Sequence, residues 1–497
     1  MPFVAKEASC ATRVLRTVVV VWVLSLLLFL CGSWILPLLD RDEPRFAEAS
    51  REMIERGDLI VPHLNGGFRF DKPPLIYWLQ VGSMRLLGQS EFAVRLPSVL
   101  CASLTAAVAA LWAGRMAGAA AGGMAGLLFA TCLQVQIHGR IAVADMAMVL
   151  FYTVSGWAGF EAASAWSRVS ARVAWAVVFF ASLALGFLAK GPVAWLPIIP
   201  VAWLWARRSA EVSIGSRGNL ILTWAVGLLG MLAAVAVWGI PALIATRGQF
   251  FAVGIGKHVV ARSVGVMEGH GLRGLFGYLA TLPTYVLLLV PGFLPWSPML
   301  ITRLWRQRPW KHREAEDSYL LGGALLVFIV FTLVHTKLPH YTLPAYPLLC
   351  VWLALRLAQE PFPPARFLRV ASVWAGFVVL LTTAGFSFAA RHFPVPPLVQ
   401  RCRDFLTSDT QVASVGFGEP SLYWYFRAHT RQFIQHIDPD EAEAFLAGAG
   451  PRLCIVSDLR LAEVLTARFP DARREESTGI NVANGRQVRL VGFFRGK

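Results

Sequence analysis

Charged residues are scarce in this sequence of 497 amino acids. Only 15% of the residues are Asp, Glu, Lys or Arg, and the 30 acidic residues are outnumbered by 46 Lys and Arg. With 56% hydrophobic residues, this composition excludes a soluble protein of this length and indicates a polytopic membrane protein. The net charge of +16 does not indicate nucleic-acid binding, because the basic residues lie in short clusters between apolar runs.

Metal-ligand spacing and a signal-cleavage site are also lacking. The seven Cys are scattered, and those inside apolar runs are interpreted as small core residues. Cys402 and Cys454 lie outside these runs and either pair in an oxidising compartment or stay free. The first apolar run, at 18–39, has no small-residue cleavage site and is predicted to be a retained membrane helix.

Apolar segments of spanning length recur along the chain. Eleven are predicted, at 15–38, 92–113, 117–137, 143–162, 173–190, 192–206, 219–243, 274–300, 318–335, 341–357 and 367–390. The segment 75–87 is too short and is interpreted as interfacial or re-entrant. The positive-inside rule then predicts a cytoplasmic amino terminus, and the odd number of spans predicts a carboxy terminus on the outer side of the membrane.

The composition divides the chain into two predicted domains. Residues 1–390 form a transmembrane domain with a first periplasmic loop at 40–75, and residues 391–497 form a small periplasmic α/β domain. Strand-like runs at 411–417, 452–457 and 487–494 alternate there with helical runs at 440–449 and 459–469.

Acidic residues at the ends of two predicted membrane spans are candidate catalytic residues. Asp42 and Glu43 follow the first span, and a carboxylate there is suited to accept a proton from an attacking group. The alternative is that Asp40 or Asp42 caps a following helix. Taken without other evidence, these residues favour the helix cap over the catalytic role. Asp145 begins another span, where a functional role and helix capping are equally compatible with the sequence.

Basic residues occur on the same predicted side. Lys72 precedes Pro73-Pro74 and either pairs with a lipid phosphate or anchors the interface. Lys190 is a phosphate contact or a plain helix end. The segments 257–262 and 335–341 add further cations, His and Tyr, with a solvated helix and aromatic anchoring as the respective alternatives. Together the charges suit transfer of a group from a phosphorylated lipid.

Seven short motifs carry a family resemblance. They are Arg41-Asp42-Glu43-Pro44-Arg45-Phe46-Ala47-Glu48, Gly57-Asp58, Pro62-His63, Lys72-Pro73-Pro74-Leu75-Ile76-Tyr77-Trp78, Arg95-Leu96-Pro97-Ser98, Ala189-Lys190-Gly191-Pro192 and Lys337-Leu338-Pro339-His340-Tyr341. The chain resembles the bacterial 4-amino-4-deoxy-L-arabinose (lipid A) transferase family, within the protein O-mannosyltransferase-like membrane glycosyltransferases. The resemblance implies the GT-C fold, a polytopic α-helical membrane protein with about 11–13 transmembrane helices.

The resemblance also implies roles for individual residues. Asp42 and Asp145 match acidic catalytic positions, and Lys72, Arg262 and Tyr341, with Lys190 as a further candidate, match residues that bind the carrier phosphate. Supporting roles are expected for Glu43, Arg45, His138 and Lys337. No cofactor is expected to be required, although family members can bind a structural zinc, for which Asp71 and His258 are the candidates here.

The expected function is that of an inverting glycosyltransferase. It takes a sugar from undecaprenyl phosphate and delivers it to a periplasmic acceptor, with 4-amino-4-deoxy-L-arabinose and lipid A phosphate as the leading pair. Partners are then the lipid-linked sugar, the envelope acceptor and membrane lipids, without nucleic acid. The alternatives are protein O-glycosylation, another lipopolysaccharide or O-antigen sugar, and a transporter of a lipid-linked sugar.

Overall fold

The computed structural model describes residues 2–164, 169–209, 214–254, 256, 274–309, 314–360 and 363–496. They form two compact units. The first comprises Met1–Cys31, Phe70–Ile76 and Leu96–Val379, and the second comprises Gly32–Arg69, Tyr77–Arg95 and Leu380–Lys497. The first periplasmic loop predicted from the sequence is therefore grouped largely with the carboxy-terminal region.

Helices dominate the described residues. In the amino-terminal half they are α1 (Pro2–Leu30), α2 (Asp42–Arg56), α3 (Leu75–Leu87), α4 (Glu91–Thr131), α5 (Leu133–His138), α6 (Asp145–Ser164), α7 (Val169–Lys190), α8 (Ile198–Ser209) and α9 (Ile214–Ala245). Farther along they are α10 (Gln249–Phe251), α11 (Gly274–Thr281), α12 (Thr284–Gly292), α13 (Ser297–Gln307), α14 (Ala315–Leu333), α15 (Ala345–Ala358), α16 (Pro364–Leu380) and α17 (Phe386–Ala390). Short 3₁₀ turns lie at Pro192–Trp195 and Pro339–Thr342.

Helix α4 folds back on itself. Ala117 and Gly118 have non-helical backbone angles, with φ of 84° at Gly118. A Cβ on Gly122 would lie 2.6 Å from the carbonyl oxygen of Ala110, and one on Gly126 would lie 2.8 Å from that of Ala106. The two arms therefore run antiparallel with their backbones in contact, so the segments predicted at 92–113 and 117–137 are confirmed as separate helical arms.

Helix α1 packs on this hairpin through the same small residues. A Cβ on Gly114 would lie 2.8 Å from Cγ1 of Val14, and one on Gly126 would lie 2.4 Å from Cγ1 of Val21. The opposite side of α1 exposes Leu15 and Val19, as a lipid-facing surface does. One stripe of the helix therefore packs on protein and the other is available to lipid.

Six helices in the described part of the chain are long and apolar enough to cross a bilayer. A pair bent by 116°, Phe276–Gly292 with Ser297–Gln307, would make a seventh. Eleven segments were predicted, and the difference has physical causes. Helix α4 contains two of them, α8 and α15 are shorter than a full span, and α6 is less apolar.

The second unit contains a five-stranded mixed sheet. Its strands are β3 (Gln411–Val415), β4 (Gln435–His436), β5 (Arg452–Val456), β6 (Arg473–Asn481) and β7 (Arg486–Arg495), after a small hairpin of β1 (His63–Leu64) and β2 (Gly67–Phe68). The spatial order is β4-β3-β5-β7-β6, with β3 parallel to β4 and β5 and with β7 antiparallel to its neighbours. The predicted α/β character is confirmed, whereas β6 was not predicted because its polar sequence suits an exposed edge.

Helices cover both faces of this sheet. One core contains side chains of α18 (Val395–Cys402) and α19 (Ser421–Thr430), and the other contains those of α20 (Ala442–Ala447) and α21 (Leu459–Arg468). Cys402 belongs to the first core and Cys454 to the second, and both are buried free thiols. The pairing that the sequence allowed is therefore wrong, because the sheet separates the two cysteines.

Candidate active site

Asp42 is the first residue of α2, and its side chain is exposed. Among the described residues of its own unit, its carboxylate has no hydrogen bond or ion pair. The capping interpretation is wrong for both aspartates. The N-cap residue of α2 is Arg41, without a side-chain capping bond, and Asp40 instead accepts a hydrogen bond of 2.9 Å from the backbone N–H of Ser421.

Glu43 is fully buried directly beside this exposed carboxylate. The guanidinium of Arg95 donates to both of its oxygens, with Nε–Oε1 2.8 Å and Nη2–Oε2 2.7 Å. The backbone N–H of Leu39 donates to Oε2 at 2.8 Å. A bidentate, charge-assisted ion pair of this kind fixes the orientation of both side chains and compensates their buried charges. Glu43 therefore holds the start of α2, and its supporting role in a reaction stays a prediction.

Arg95 also organises the segment that leads to Asp42. Nη1 donates to the carbonyl oxygens of Ser33 at 3.1 Å and Leu36 at 2.6 Å, and Nη2 donates to that of Pro37 at 2.9 Å. Sequence reasoning quoted Arg95 within a motif but gave it no role. Its position near the start of an apolar helix was the available signal, since a buried Arg requires partners.

A second polar cluster lies in the first unit, where three chain segments meet. Asp145 is the first residue of α6, and Lys190 is the last residue of α7. Their side chains form an ion pair through Oδ1 and Nζ, and Nε2 of His340 lies 3.9 Å from the same oxygen. The sequence left open whether Asp145 only caps its helix, whereas the structure gives it an ion-pair partner.

Aromatic rings surround this ion pair. Nζ of Lys190 lies 5.6 Å from the ring centre of Tyr341, and the rings of His138 and His340 are 5.3 Å apart. Burial lowers the pKa of His340 to about 3 and also lowers that of His138. Both imidazoles are therefore neutral at physiological pH, and the positive charge of this cluster resides on Lys190.

The remaining predicted residues differ in their surroundings. Nζ of Lys72 donates to the carbonyl oxygen of Asp71 at 3.1 Å. Lys337 donates to the carbonyl oxygens of Phe331, Thr332 and Val334 at the end of α14, so it caps that helix. Arg45 is partly buried in the first turns of α2.

Two predicted residues lie outside the described part of the chain, namely Arg262 and His258. The metal hypothesis therefore has only Asp71 in the described structure. Within residues 2–164 and the other described ranges, no three His, Cys, Asp or Glu side chains are grouped so that they could hold a metal ion. Zinc binding by Asp71 and His258 stays a prediction.

Each cluster has a distinct chemical capacity. In the second unit, the exposed carboxylate of Asp42 directly precedes Glu43 of a buried, hydrogen-bonded ion pair, which suits proton acceptance from a substrate hydroxyl. In the first unit, Lys190 and the phenol of Tyr341 lie together, which suits binding of an anionic oxygen. The Asp145 carboxylate balances the charge of Lys190.

Known proteins resemble this chain in sequence and in fold. Residues 71–239 match the family described as dolichyl-phosphate-mannose-protein mannosyltransferase. An undecaprenyl phosphate-alpha-4-amino-4-deoxy-L-arabinose arabinosyl transferase from Edwardsiella ictaluri is 30% identical over 63% of this chain and 54% of its own length. An uncharacterized protein of Aquifex aeolicus is 28% identical over 73% of this chain and 76% of its own length.

The fold comparison extends over almost the whole chain. The crystal structure of ArnT from Cupriavidus metallidurans bound to undecaprenyl phosphate matches with a TM-score of 0.75 and 19% identity, covering 95% of this chain and 97% of that one. The chain nevertheless spans little more than half the length of the Edwardsiella transferase. Taken together, the sequence is similar to the aminoarabinose transferases, and the chain has the GT-C membrane fold of the ArnT structure.

Proposed function

We propose that this protein is a membrane glycosyltransferase that moves a sugar from undecaprenyl phosphate to an acceptor on the periplasmic side of the inner membrane. The sugar is 4-amino-4-deoxy-L-arabinose and the acceptor is a lipid A phosphate. The observation that carries the proposal is the exposed carboxylate of Asp42 beside the buried Glu43–Arg95 pair. The names of the relatives support the choice of carrier and sugar.

In this reaction Asp42 acts as general base. It accepts the proton of the remaining P–OH group of a singly ionised lipid A phosphate while that oxygen forms a bond to the anomeric carbon of the sugar. The bond between this carbon and the carrier phosphate breaks at the same time, so the configuration inverts. The electron pair of that bond leaves with the carrier phosphate, which is already an anion at neutral pH and needs no general acid.

Cations of the first unit stabilise the leaving phosphate in this proposal. Lys72, Lys190 and Arg262 supply positive charge, and Tyr341 supplies a phenolic hydrogen-bond donor. The ion pair between Lys190 and Asp145 supports the assignment, because it holds the ammonium beside the Tyr341 ring before substrate binds. Such preorganisation reduces the cost of ordering a flexible lysine at the moment of reaction.

The test is transfer by purified protein in lipid nanodiscs supplied with undecaprenyl phosphate-linked aminoarabinose and lipid A. We expect Asp42→Asn, which removes the base with almost no change in shape, to lower kcat by about 10²- to 10⁴-fold. Asp409→Asn, which changes an exposed carboxylate elsewhere in the same unit, should leave the rate unchanged. Full transfer by Asp42→Asn would refute the role of this carboxylate.

The acceptor and sugar require a separate measurement. Intact-mass spectrometry of lipid A from cells with and without the gene should show an aminoarabinose-modified species only when the gene is present. If lipid A is unchanged but another envelope glycan or a protein loses a sugar, then the proposed acceptor is wrong although the protein transfers a sugar.

A further inference from the structure

The carboxy-terminal domain contacts the segment that carries Asp42 on both sides of that residue. Before Asp42, the hydroxyl of Tyr425 accepts a hydrogen bond from the backbone N–H of Leu38 at 2.9 Å. Nε of Arg41 donates to Oε2 of Glu419 at 3.2 Å. With the bond from Ser421 to Asp40, residues 38, 40 and 41 are all bonded to residues 419–425.

After Asp42, the contact is a buried network of charges. Glu48, Glu52 and Glu55 recur on one face of α2 at helical spacing, and the guanidinium of Arg427 forms ion pairs with all three. Nη2 of Arg427 lies 2.9 Å from Oε2 of Glu55, and its side chain is only 3% exposed. The carboxylates of Glu48 and Glu52 are fully buried.

Arg51 reinforces the network from the side of α2. It pairs with Glu48, and its two terminal nitrogens donate to the carbonyl oxygens of Trp424 at 3.0 Å and Tyr423 at 2.8 Å. Its guanidinium lies 4.7 Å from the ring centre of Trp424. Because each buried charge depends on the others for compensation, α2 and α19 have one well-defined relative position.

Asp42 is the exception within this segment. Arg41 before it and Glu48 after it are bonded to the carboxy-terminal domain, whereas its own carboxylate is exposed and has no such bond among the described residues of this unit. An arrangement that only stabilised the fold would not require the carboxylate of Asp42 to stay exposed to solvent. It fixes the backbone that carries the group and leaves the group free to meet substrate.

We propose that the carboxy-terminal α/β domain is a positioning element for Asp42, with Arg427 as its principal residue and Tyr425 as a second one. The inference rests on the proposed function, because it takes Asp42 to be the general base. Arg427 touches no reacting atom. It acts through the three glutamates of α2, which fix the orientation from which Asp42 projects.

The test compares full-length variants in nanodiscs. Arg427→Gln removes the shared charge, and we expect kcat to fall by roughly 10- to 100-fold, the effect of a misplacement of about 1 Å. KM for the undecaprenyl phosphate-linked sugar should stay within about twofold, since the residues proposed to bind the carrier phosphate belong to the other unit. Arg427→Lys, which keeps the charge but has a single ammonium group, should recover part of kcat.

Matched variants separate positioning from general damage. Arg468→Gln breaks an ion pair of the same domain whose arginine is 71% exposed, and it should leave kcat and KM unchanged. Tyr425→Phe removes only the hydroxyl that accepts from Leu38 and keeps the ring packing. It should lower kcat severalfold relative to the wild type with KM unchanged, and an unchanged kcat would refute the role of Tyr425 even if Arg427→Gln fails to fold.

Hydrogen exchange gives a measurement that does not depend on activity. Peptides covering residues 38–48 should exchange faster in Arg427→Gln than in the wild type or Arg468→Gln, while those covering 96–131 should not. Faster exchange with unchanged kcat would refute the positioning role, as would equal loss of activity in Arg427→Gln and Arg468→Gln. Full activity of Asp42→Asn would instead refute the proposed function, whatever the exchange shows.

Discussion

The buried ion pair between Glu43 and Arg95 stabilises the start of α2. Arg95→Met leaves the Glu43 carboxylate buried without its cation and removes the bonds to Ser33, Leu36 and Pro37. We expect a loss of about 3–5 kcal/mol in the free energy of unfolding, measured by thermal unfolding in detergent with tryptophan fluorescence. Adding Glu43→Leu should restore part of this stability, because no unpaired charge is then buried.

An exposed ion pair provides the control for this prediction. Arg115 and Glu161 lie 2.9 Å apart, but the arginine side chain is 50% exposed. Arg115→Gln should therefore cost no more than about 1 kcal/mol. If Arg95→Met and Arg115→Gln lower the free energy of unfolding equally, then the burial of Glu43 does not account for the contribution of its ion pair to stability.

The stability of the folded protein should depend on pH through Asp40, which lies in the segment before α2. Burial raises the pKa of its carboxyl from the usual range to about 6. Between about pH 4 and pH 6 the folded protein therefore holds a proton that the unfolded chain releases, so stability falls as the pH rises through this window. Asp40→Asn keeps an acceptor for Ser421 without the charge, and its melting temperature should exceed that of the wild type by more at pH 7.5 than at pH 4.5. An equal difference at both pH values would contradict this reasoning.

At the scale of elements, basic side chains satisfy the carbonyl groups at helix ends. Lys337 caps the end of α14, and Arg140 donates to the carbonyl oxygens of Leu28 and Cys31 at the end of α1. Free carbonyls and the negative end of the helix dipole attract cations at such positions. Lys337 of the quoted motifs and Arg140 therefore bind the ends of helices, which explains why charge alone did not distinguish substrate contacts from structural ones.

The hairpin of α4 yields an element-scale prediction. Because a Cβ on Gly122 would meet backbone atoms of the facing arm, Gly122→Ala should force the arms apart and cost about 1–3 kcal/mol of stability. Gly230→Ala in α9 is the matched control, since among the described residues no atom beyond its own stretch of helix lies within 4 Å of the added Cβ. Thermal unfolding of the two variants in the same detergent makes the comparison, and equal melting temperatures would show that the hairpin tolerates separation of its arms.

At the scale of the whole molecule, the sheet keeps its two cysteines apart. Burial raises the pKa of both Cys402 and Cys454 to about 12, so neither thiol forms a reactive thiolate near neutral pH. We expect maleimide to label them only after denaturation. Mass spectrometry of the peptides without reductant should find no bond between them, whereas a Cys402–Cys454 peptide would show that the sheet is assembled differently.

Much of this architecture could be predicted from the sequence. Apolar length predicted most helices, and strand-like runs predicted three strands of the carboxy-terminal sheet. Asp42 and Glu43 were recognisable by their position after an apolar run. The pairing of Glu48 with Arg427 was not, because residues 379 positions apart in the chain leave no local pattern that relates them. The bent helix pair and the capping role of Lys337 likewise depend on backbone geometry rather than composition.

The bond from Ser421 to Asp40 joins residues 381 positions apart, which has a consequence for biogenesis. At a synthesis rate of about 5–20 residues per second, roughly 20 to 80 seconds separate the appearance of the two partners. Until then the segment around Asp42 lacks the contacts that order it. A nascent chain that has not yet reached residue 421 should therefore lack an ordered segment around Asp42, so that the proposed transferase activity begins only after the sheet-containing domain has been synthesised and folded.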